Sequence, residues 1–380
     1  MPPTIAIDAS RATRVYKTGV EWYAYRLLEA LHTEMPPEWS VRLLSDRMPA
    51  TDWIAASHDA PRNDKVTHWF WKILSWPPRF LWSQVRLAAY LFRTQPSLFF
   101  SPVHVLPFFA SSPAIVTIHD VDYVLHPEAY GWKSRMYLLL TTWWAVHRAT
   151  RILTPSETSK RHLRERFGCR PEKICVTPLA PMISERPSEQ QIRETKARLG
   201  IADPYLIAIG RLETKKNTAR IVEAFARVQK LHPEFRLILV GGLGRGHEAV
   251  LAAIEKANLG DRILRCGWLA GDDLAALLAG AHALVFPSLA EGFGIPILDA
   301  YTLGVPVITS RGIATEEVAG GAALLVDPTS VEEIGDAMKK MMTDDSFRVS
   351  LIERGSARVK AFSWQKTAQA TVAVFRECIE

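Results

Sequence analysis

The chain has 380 residues, a formal net charge of +6, 48% hydrophobic and 23% charged residues, and four cysteines. That length predicts two to three domains, and the composition is that of a water-soluble globular protein. The cysteines (Cys169, Cys175, Cys266, Cys378) show no paired C-x-x-C spacing, which argues against structural zinc and against a disulfide scaffold.

The N-terminus enters a strand at once, so no secretory leader is expected. The longest apolar run, Met136 to Val146, is broken by Thr141 and Thr142 and falls far short of the roughly 20 residues a membrane span needs. The whole positive excess lies in residues 1–180, together with ten of the twelve Trp. A basic, Trp-rich half suits an anionic membrane surface. It also suits nucleic acid, but no nucleic-acid module is present, and none is expected as a partner.

Thr4 to Asp8 reads as the first strand, 9–19 as a loop ending at Gly19, and Val20 to Leu31 as a helix with apolar residues at helical spacing. Strand, loop, Gly and helix form the first unit of a Rossmann-like domain. Val41 to Asp46 is a second strand, followed by a polar, irregular stretch over 47–67. His68 to Leu87 holds four Trp and three Lys/Arg. It is expected either as an amphipathic segment on a membrane or as aromatics packed on the core or an acceptor groove. Pro77-Pro78 breaks any single helix there.

Ser97 to Ser101 and Ala114 to His119 read as buried strands, the second placing His119 and Asp120 at a carboxyl end. Trp132 to Arg148 is a long apolar helix and Arg151 to Thr154 a strand. A helix follows, with Ser156 as N-cap and Ser159 in its third position. Lys173 to Thr177 closes the first half. Residues 181–203, polar and then helical, read as an interdomain linker.

Tyr205 to Gly210 is a buried strand. Arg211 and Lys216 follow it and precede a helix from about Asn217, a placement that suits neutralising a diphosphate. Arg236 to Gly242 is another strand; its GGLGRG lacks the dinucleotide spacing. Ile263 to Cys266 is a strand and Asp272 to Leu278 a short helix. Ala283 to Phe286 (strand), a Gly/Pro turn, Ile295 to Leu303 (helix) and Val305 to Thr309 (strand) follow. Glu291 and Asp299 bracket that turn and helix. Gly292 and Gly294 leave backbone N–H groups open beside a helix N-terminus, which attracts an anion. Carboxylates beside an anion suit a sugar or ribose; a solvated Glu and a capping Asp would give the same pattern. Glu317 to Pro328 supplies the last strand, and helices follow at about 330–342, 345–361 and 363–378.

The stretch E-G-F-G-I-P-x-L-D resembles the glutamate-x7-glutamate motif of the retaining glycosyltransferases of family four, with Asp299 in place of the second Glu. GRLETKKN resembles that family's G-R-x4-K-N motif, and TIHDVDYVLHPEAY its T-I-H-D…H-P-E segment. The likeness covers nearly the whole chain, most specifically over 205–328 and least over 47–95.

It implies an α/β architecture of the GT-B fold, two Rossmann-like domains facing across a cleft. Residues 1–180 would form an acceptor domain, 181–203 the linker and 204–362 a nucleotide-sugar domain. The 363–380 helix would pack back on the N-terminal domain. His119, Arg211, Lys216 and Glu291 would be catalytic. Glu291 and His119 would hold the donor sugar, Asp299 the ribose, and Arg211 and Lys216 the diphosphate. Gly19, Gly210, Gly292, Phe293, Gly294 and Ile295 would line the donor, and Trp268 and Leu269 would meet the base.

No resident cofactor and no metal are implied. Asp120-Val-Asp122 spells a DxD, but it follows directly on the family's His-Asp. The pattern is closest to mannosyltransferases of bacterial surface polysaccharide synthesis. It implies transfer of a hexose from GDP-mannose, with retention, to a glycan or lipid-linked saccharide, in the cytoplasm or at the inner face of the membrane. UDP- and dTDP-sugars, a nucleotide-sugar epimerase of the same fold and a non-catalytic binding subunit are the alternatives.

Overall fold

A computed structural model of the chain describes residues 2–15, 17–48, 68–76, 81–109, 113–269 and 271–380. The chain divides into two units: Met1–Val124, Trp132–Leu179 and Ser363–Glu380 form one, and Leu125–Gly131 with Ala180–Phe362 the other. The segment expected as a linker folds with the second unit from Ala180 onward.

In the first unit the order is β1 (Thr4–Asp8), α1 (Gly19–Glu34), β2 (Ser40–Ser45), β3 (His68–Ile73), α2 (Ala88–Thr94), β4 (Leu98–Ser101), β5 (Ala114–Thr117), α3 (Asp122–Leu125), α4 (Trp132–Arg148), β6 (Arg151–Thr154), α5 (Glu157–Phe167) and β7 (Ile174–Val176). The strands form one sheet in the order β3-β2-β1-β4-β5-β6-β7, and every pair in it is parallel. Ile5, Ile7, Phe99, Phe100, Ile115 and Val116 are fully buried. Such unbroken apolar strands are what a parallel sheet covered on both faces requires. The order reverses between β1 and β4, the switch point where doubly wound sheets open a crevice.

The second unit continues with α6 (Glu189–Arg198), β8 (Tyr205–Ile209), α7 (Thr218–Gln229), β9 (Arg236–Val240), α8 (His247–Ala257), β10 (Ile263–Gly267), α9 (Gly271–Ala279), β11 (Ala283–Phe286), α10 (Ile295–Thr302), β12 (Val307–Ser310), α11 (Ala314–Ala319), β13 (Leu324–Val326), α12 (Val331–Thr343) and α13 (Asp345–Val359). Its parallel sheet runs β10-β9-β8-β11-β12-β13, with the switch point between β8 and β11. The core below it gathers Leu237, Leu239, Phe225, Ile334 and Met338.

The last helix, α14 (Trp364–Ile379), belongs to the first unit. Its Thr367 Oγ1 donates to Pro178 O at 2.6 Å, Gln365 and Gln369 donate to the Glu34 carboxylate of α1, and Phe375 meets Phe100 of β4 edge-on at 5.1 Å.

Two local expectations are corrected. Residues 68–73 form an edge strand of the sheet, paired with β2 through Val41↔Trp69 and Leu43↔Trp71. The two-residue period of a strand turns Trp69 and Trp71 to one face, where both are buried, and leaves Phe70 exposed. Trp82 is buried too, its Nε1 donating to Leu74 O at 2.8 Å. Of the two readings of 68–87, packing on the core holds for Trp69, Trp71 and Trp82; Pro77-Pro78 lies outside the described residues. The second correction falls on Glu317–Pro328, where α11 runs on to Ala319 and only Leu324–Val326 is strand. Gly320 and Gly321, at φ +56° and +79°, end the helix. The helix α4 has the bounds expected of it. Trp132, Met136, Leu140 and Trp143 lie exposed along one of its faces, with Lys133, His147 and Arg148 exposed beside them.

Candidate functional site

The residues singled out for the donor gather at the carboxyl ends of β8 and β11, on either side of the switch point. β8 ends at Ile209, and the chain turns through Gly210 at φ +142°. A Cβ at Gly210 would stand 3.3 Å from Lys216 Cγ and Cδ, so the glycine leaves room for the lysine stem. A Cβ at Gly241, after β9, would stand 2.0 Å from Gly210 O. The two strand-end turns thus meet backbone to backbone.

Lys216 Nζ forms an ion pair with Glu291 Oε1. Ser288 Oγ donates to the same oxygen at 2.9 Å, and the ammonium stands 5.2 Å from the Phe286 ring centroid. Leu289 N donates to Lys215 O at 2.9 Å, tying the loop after β11 to the loop after β8. Asn217, at φ +61°, adds a second tie: its Nδ2 donates to Pro287 O at 2.9 Å and to Pro328 O at 2.6 Å. Arg211 is 64% exposed at its side chain and stands 3.5 Å from Glu213 Oε2. One cation is thus held against a carboxylate while the other extends into solvent.

The loop after β11 enters α10 through Gly294, at φ +112°. A Cβ there would come within 3.1 Å of Thr315 Cγ2, so a side chain is excluded on two counts. Gly292 and Gly294 are buried and Ile295 is half-buried at the first position of α10. Phe293 is buried, with its ring edge-on to Phe362 at 5.9 Å. Its side chain anchors the loop, leaving only its backbone for a ligand. Asp299 is buried on α10, and its Oδ1 accepts from Met182 N at 2.6 Å and Ile183 N at 3.0 Å. The carboxylate expected at a ribose therefore also fixes the start of the second unit. Trp268 is exposed and Leu269 half-buried just past β10.

His119 and Gly19 belong to the first unit. Gly19 opens α1, whose capping box is closed by Thr18 and Glu21. His119 follows β5. Its Nε2 lies 3.2 Å from Pro102 O, and its ring stands edge-on to Tyr23 at 4.6 Å. A carbonyl can only accept, so Nε2 carries the proton and Nδ1 is the free acceptor. Burial lowers its pKa, with Asp120 opposing, so the ring is neutral at pH 7. His119 O accepts from Ser159 Oγ at 3.0 Å, and Ser156 caps α5 as its sequence position suggests. Asp120 Oδ1 accepts from Asp122 N at 3.1 Å, a turn within the loop. Among the described residues no group of three or more His, Cys, Asp or Glu is placed to hold a metal ion.

Sequence reasoning missed Ser288 and the tie made by Asn217. The Asn is the last letter of the G-R-x4-K-N pattern, so a signal existed. Ser288 carried none.

The fold of nearly the whole chain matches solved structures. Sucrose-phosphate synthase from Thermosynechococcus elongatus superposes with a TM-score of 0.75 at 20% identity, over 99% of this chain and 98% of that one. HepE of Anabaena, solved with UDP and glucose, gives 0.76 at 18%, over 99% and 100%. The fold is GT-B.

Residues 191–358 match the family described as Glycosyl transferases group 1, and residues 17–180 match Glycosyltransferase Family 4. The O-antigen chain mannosyltransferase B of Escherichia coli is 30% identical over 267 residues, 69% of this chain and 70% of that protein. The MMP alpha-(1->4)-mannosyltransferase of Mycolicibacterium hassiacum is 30% identical over 60% of this chain and 54% of its own length. The serotype-specific mannosyltransferase WbdA of Escherichia coli is 28% identical over 51% of this chain but only 24% of its own length. The chain belongs to the group 1, family-four glycosyltransferases and is a glycosyltransferase enzyme.

Proposed function

We propose that the protein transfers mannose from GDP-mannose, with retention of configuration, to a glycan or lipid-linked saccharide in the synthesis of a surface polysaccharide. The observation that carries the choice of sugar is the mannosyltransferase matched over 70% of its length. In this reading an acceptor hydroxyl attacks the anomeric carbon on the face the diphosphate leaves. The new C–O bond forms as the C–O bond to phosphate breaks. The electron pair departs with the diphosphate, and the acceptor proton passes to a phosphate oxygen.

The enzyme's task is to stabilise charge growing on that phosphate, commonly the largest catalytic contribution. Lys216, Arg211 and the N–H groups of Gly292 to Ile295 supply the donors. Glu291 orients the sugar, Asp299 contributes to the ribose, and Trp268 and Leu269 border the base. His119, neutral and with Nδ1 open, accepts from a sugar hydroxyl. Gly19 borders the donor phosphates.

Thermal-shift measurement against GDP-, UDP-, dTDP- and ADP-sugars tests the donor. A ligand at 100 times its Kd stabilises by about 2.7 kcal/mol. A UDP-sugar as the sole stabilising ligand would overturn GDP-mannose. Conversion of donor alone into a new sugar would replace transfer by epimerisation.

Location at the cytoplasmic face of a membrane is part of the same reading. No described helix is long and apolar enough to cross a bilayer. The exposed face of α4 offers another means of attachment. Trp132 is 73% exposed and Trp143 52%, with Met136 and Leu140 between them. The helix has no acidic residue, and three basic side chains border the apolar face. That pairing suits an anionic lipid surface. Sedimentation with anionic vesicles at low salt should carry the protein down, and Trp132→Ser with Trp143→Ser should release it. Self-association without vesicle binding would assign the face to a second copy instead.

A further inference from the structure

The first unit holds a cavity of about 370 Å³, lined by Ser10, Arg11, Arg14, Asp46, Trp82 and Tyr137 among others. Ser10 and Arg11 follow directly on β1, and Asp46 on β2, so the cavity opens at carboxyl ends of the sheet. Ligands of doubly wound sheets bind at that edge, and the volume falls within the range of small-molecule sites, roughly 300–1,000 Å³.

Among the described residues the carboxylates near this cavity are engaged by groups other than Arg14, Asp8 Oδ1 accepting from Ser10 N at 2.9 Å. Glu21 is committed to Arg11 at 3.2 Å and to Thr18 N at 3.1 Å. Asp46 accepts two bonds from Arg47, from Nε at 3.2 Å and from a terminal nitrogen at 2.9 Å. Arg14 makes no ion pair among the described residues, and its Nε is buried without a hydrogen-bond partner. Burial lowers the Arg14 pKa, and the charges of Arg11 and Arg47 push the same way, against Asp46 and Glu21. A half-buried guanidinium without an ion pair is a costly arrangement unless a bound anion faces it. Its planar fork suits bidentate contact with carboxylate or phosphate. The remaining wall suits a saccharide: Ser10, Ser83 and Asp46 offer partners for hydroxyls, and Leu81 and Trp82 offer apolar surface to a sugar's C–H face.

We propose that this cavity binds the phosphate or carboxylate group of an acidic saccharide acceptor, with Arg14 as its principal ligand. The inference rests on the reading of the first unit as the acceptor domain. The same chemistry could come from the donor's diphosphate, so the test separates the two sources.

Calorimetry of the full chain is run with mannose 1-phosphate as the acceptor-like probe and, separately, with GDP. The unsubstituted protein should bind mannose 1-phosphate with an affinity that falls as salt rises. Arg14→Gln should weaken that binding tenfold or more, and Arg14→Lys should recover part of it by restoring the charge. GDP affinity should be the same in all three proteins, which also shows that the variants are folded. No binding of mannose 1-phosphate to the unsubstituted protein, or equal binding in Arg14→Gln, overturns the proposal. A parallel loss of GDP affinity in Arg14→Gln overturns it too, by assigning the cavity to the donor. The outcome is independent of which nucleotide sugar the enzyme prefers, because the GDP-, UDP- and dTDP-sugar comparison on unsubstituted protein decides that separately.

Discussion

Lys216→Ala removes one member of a pair whose side chains are only 22% and 11% exposed. Exposed ion pairs contribute about 0–1 kcal/mol, and breaking a fully buried one costs about 3–5 kcal/mol. This pair lies between, and Glu291 keeps the Ser288 hydroxyl as a donor at 2.9 Å. The stability cost is therefore on the order of 1–3 kcal/mol. The catalytic cost has another origin. Negative charge grows on the leaving diphosphate as the glycosidic bond breaks, so the ammonium interacts more strongly with the transition state than with bound donor. Loss of one preorganised donor of this kind lowers kcat by about 10²–10³-fold. Glu291→Gln keeps a carbonyl oxygen for Ser288, should cut kcat, and should leave free-nucleotide affinity nearly intact. The double variant should be less than additive, because the two side chains touch. The assay is initial rate at saturating donor, paired with urea unfolding of each protein. If Lys216→Ala loses the expected stability while kcat stays within about threefold, the pair is a structural tie and the electrostatic argument is wrong.

Asp299→Ala strands two backbone donors, Met182 N and Ile183 N, and should cost about 1–3 kcal/mol in urea unfolding. Asp299→Asn keeps an oxygen for both, so its stability should stay near that of the parent while calorimetry shows weaker nucleotide binding. Gly210→Ala forces a Cβ into φ +142° and against the Lys216 stem at 3.3 Å. The backbone strain is about 1–3 kcal/mol, and kcat should fall further than in a control variant of equal stability. Burial takes the His104 pKa to about 4, and burial lowers His119 as well. The folded imidazoles resist a proton that the unfolded chain accepts near 6.5. Their contribution is thus complete above about pH 6.5 and is lost as pH falls toward 4, about 3 kcal/mol at most for His104. Urea unfolding between pH 7 and 4.5 should show this slope, and His104→Gln should flatten it; equal slopes would refute it.

Most strands were legible because they are short apolar runs between glycine or polar turns. Tyr205–Ile209 and Ala283–Phe286 are clear cases. The cations and carboxylates of the donor motifs were singled out by their places at strand ends together with the family resemblance. Their partners were not. Asp299 is tied to residues 116 and 117 positions away, and Lys216 to one 75 away. Spacing within a motif says nothing about contacts closed by the fold. Phe293 shows the same limit: its neighbours in sequence suggest a ligand loop, and only the Phe362 ring reveals its side chain as an anchor.

The Trp-rich segment shows why composition misled where periodicity could have helped. Four Trp and three Lys/Arg within His68–Leu87 suggest an amphipathic segment on a membrane when counted. Read with a period of two, Trp69 and Trp71 fall on one side and Phe70 and Lys72 on the other, which is an edge strand with one buried face. In α4 the opposite holds. Trp132, Met136, Leu140 and Trp143 recur at steps of four and three, the signature of a helix face expected to be buried. All four are exposed, while Thr141 and Thr142 are buried. Threonines on the inner face can be held by bonds: Thr142 accepts from Tyr123 OH at 2.5 Å and meets His104 at 2.7 Å, and Thr141 donates to Tyr137 O at 2.9 Å. The inner face of α4 holds hydrogen-bonded Thr141 and Thr142 beside Ala145 and Val146, and four of its large apolar side chains are left outward. That inversion is the physical reason to seek a membrane at α4 and not at the tryptophans of β3.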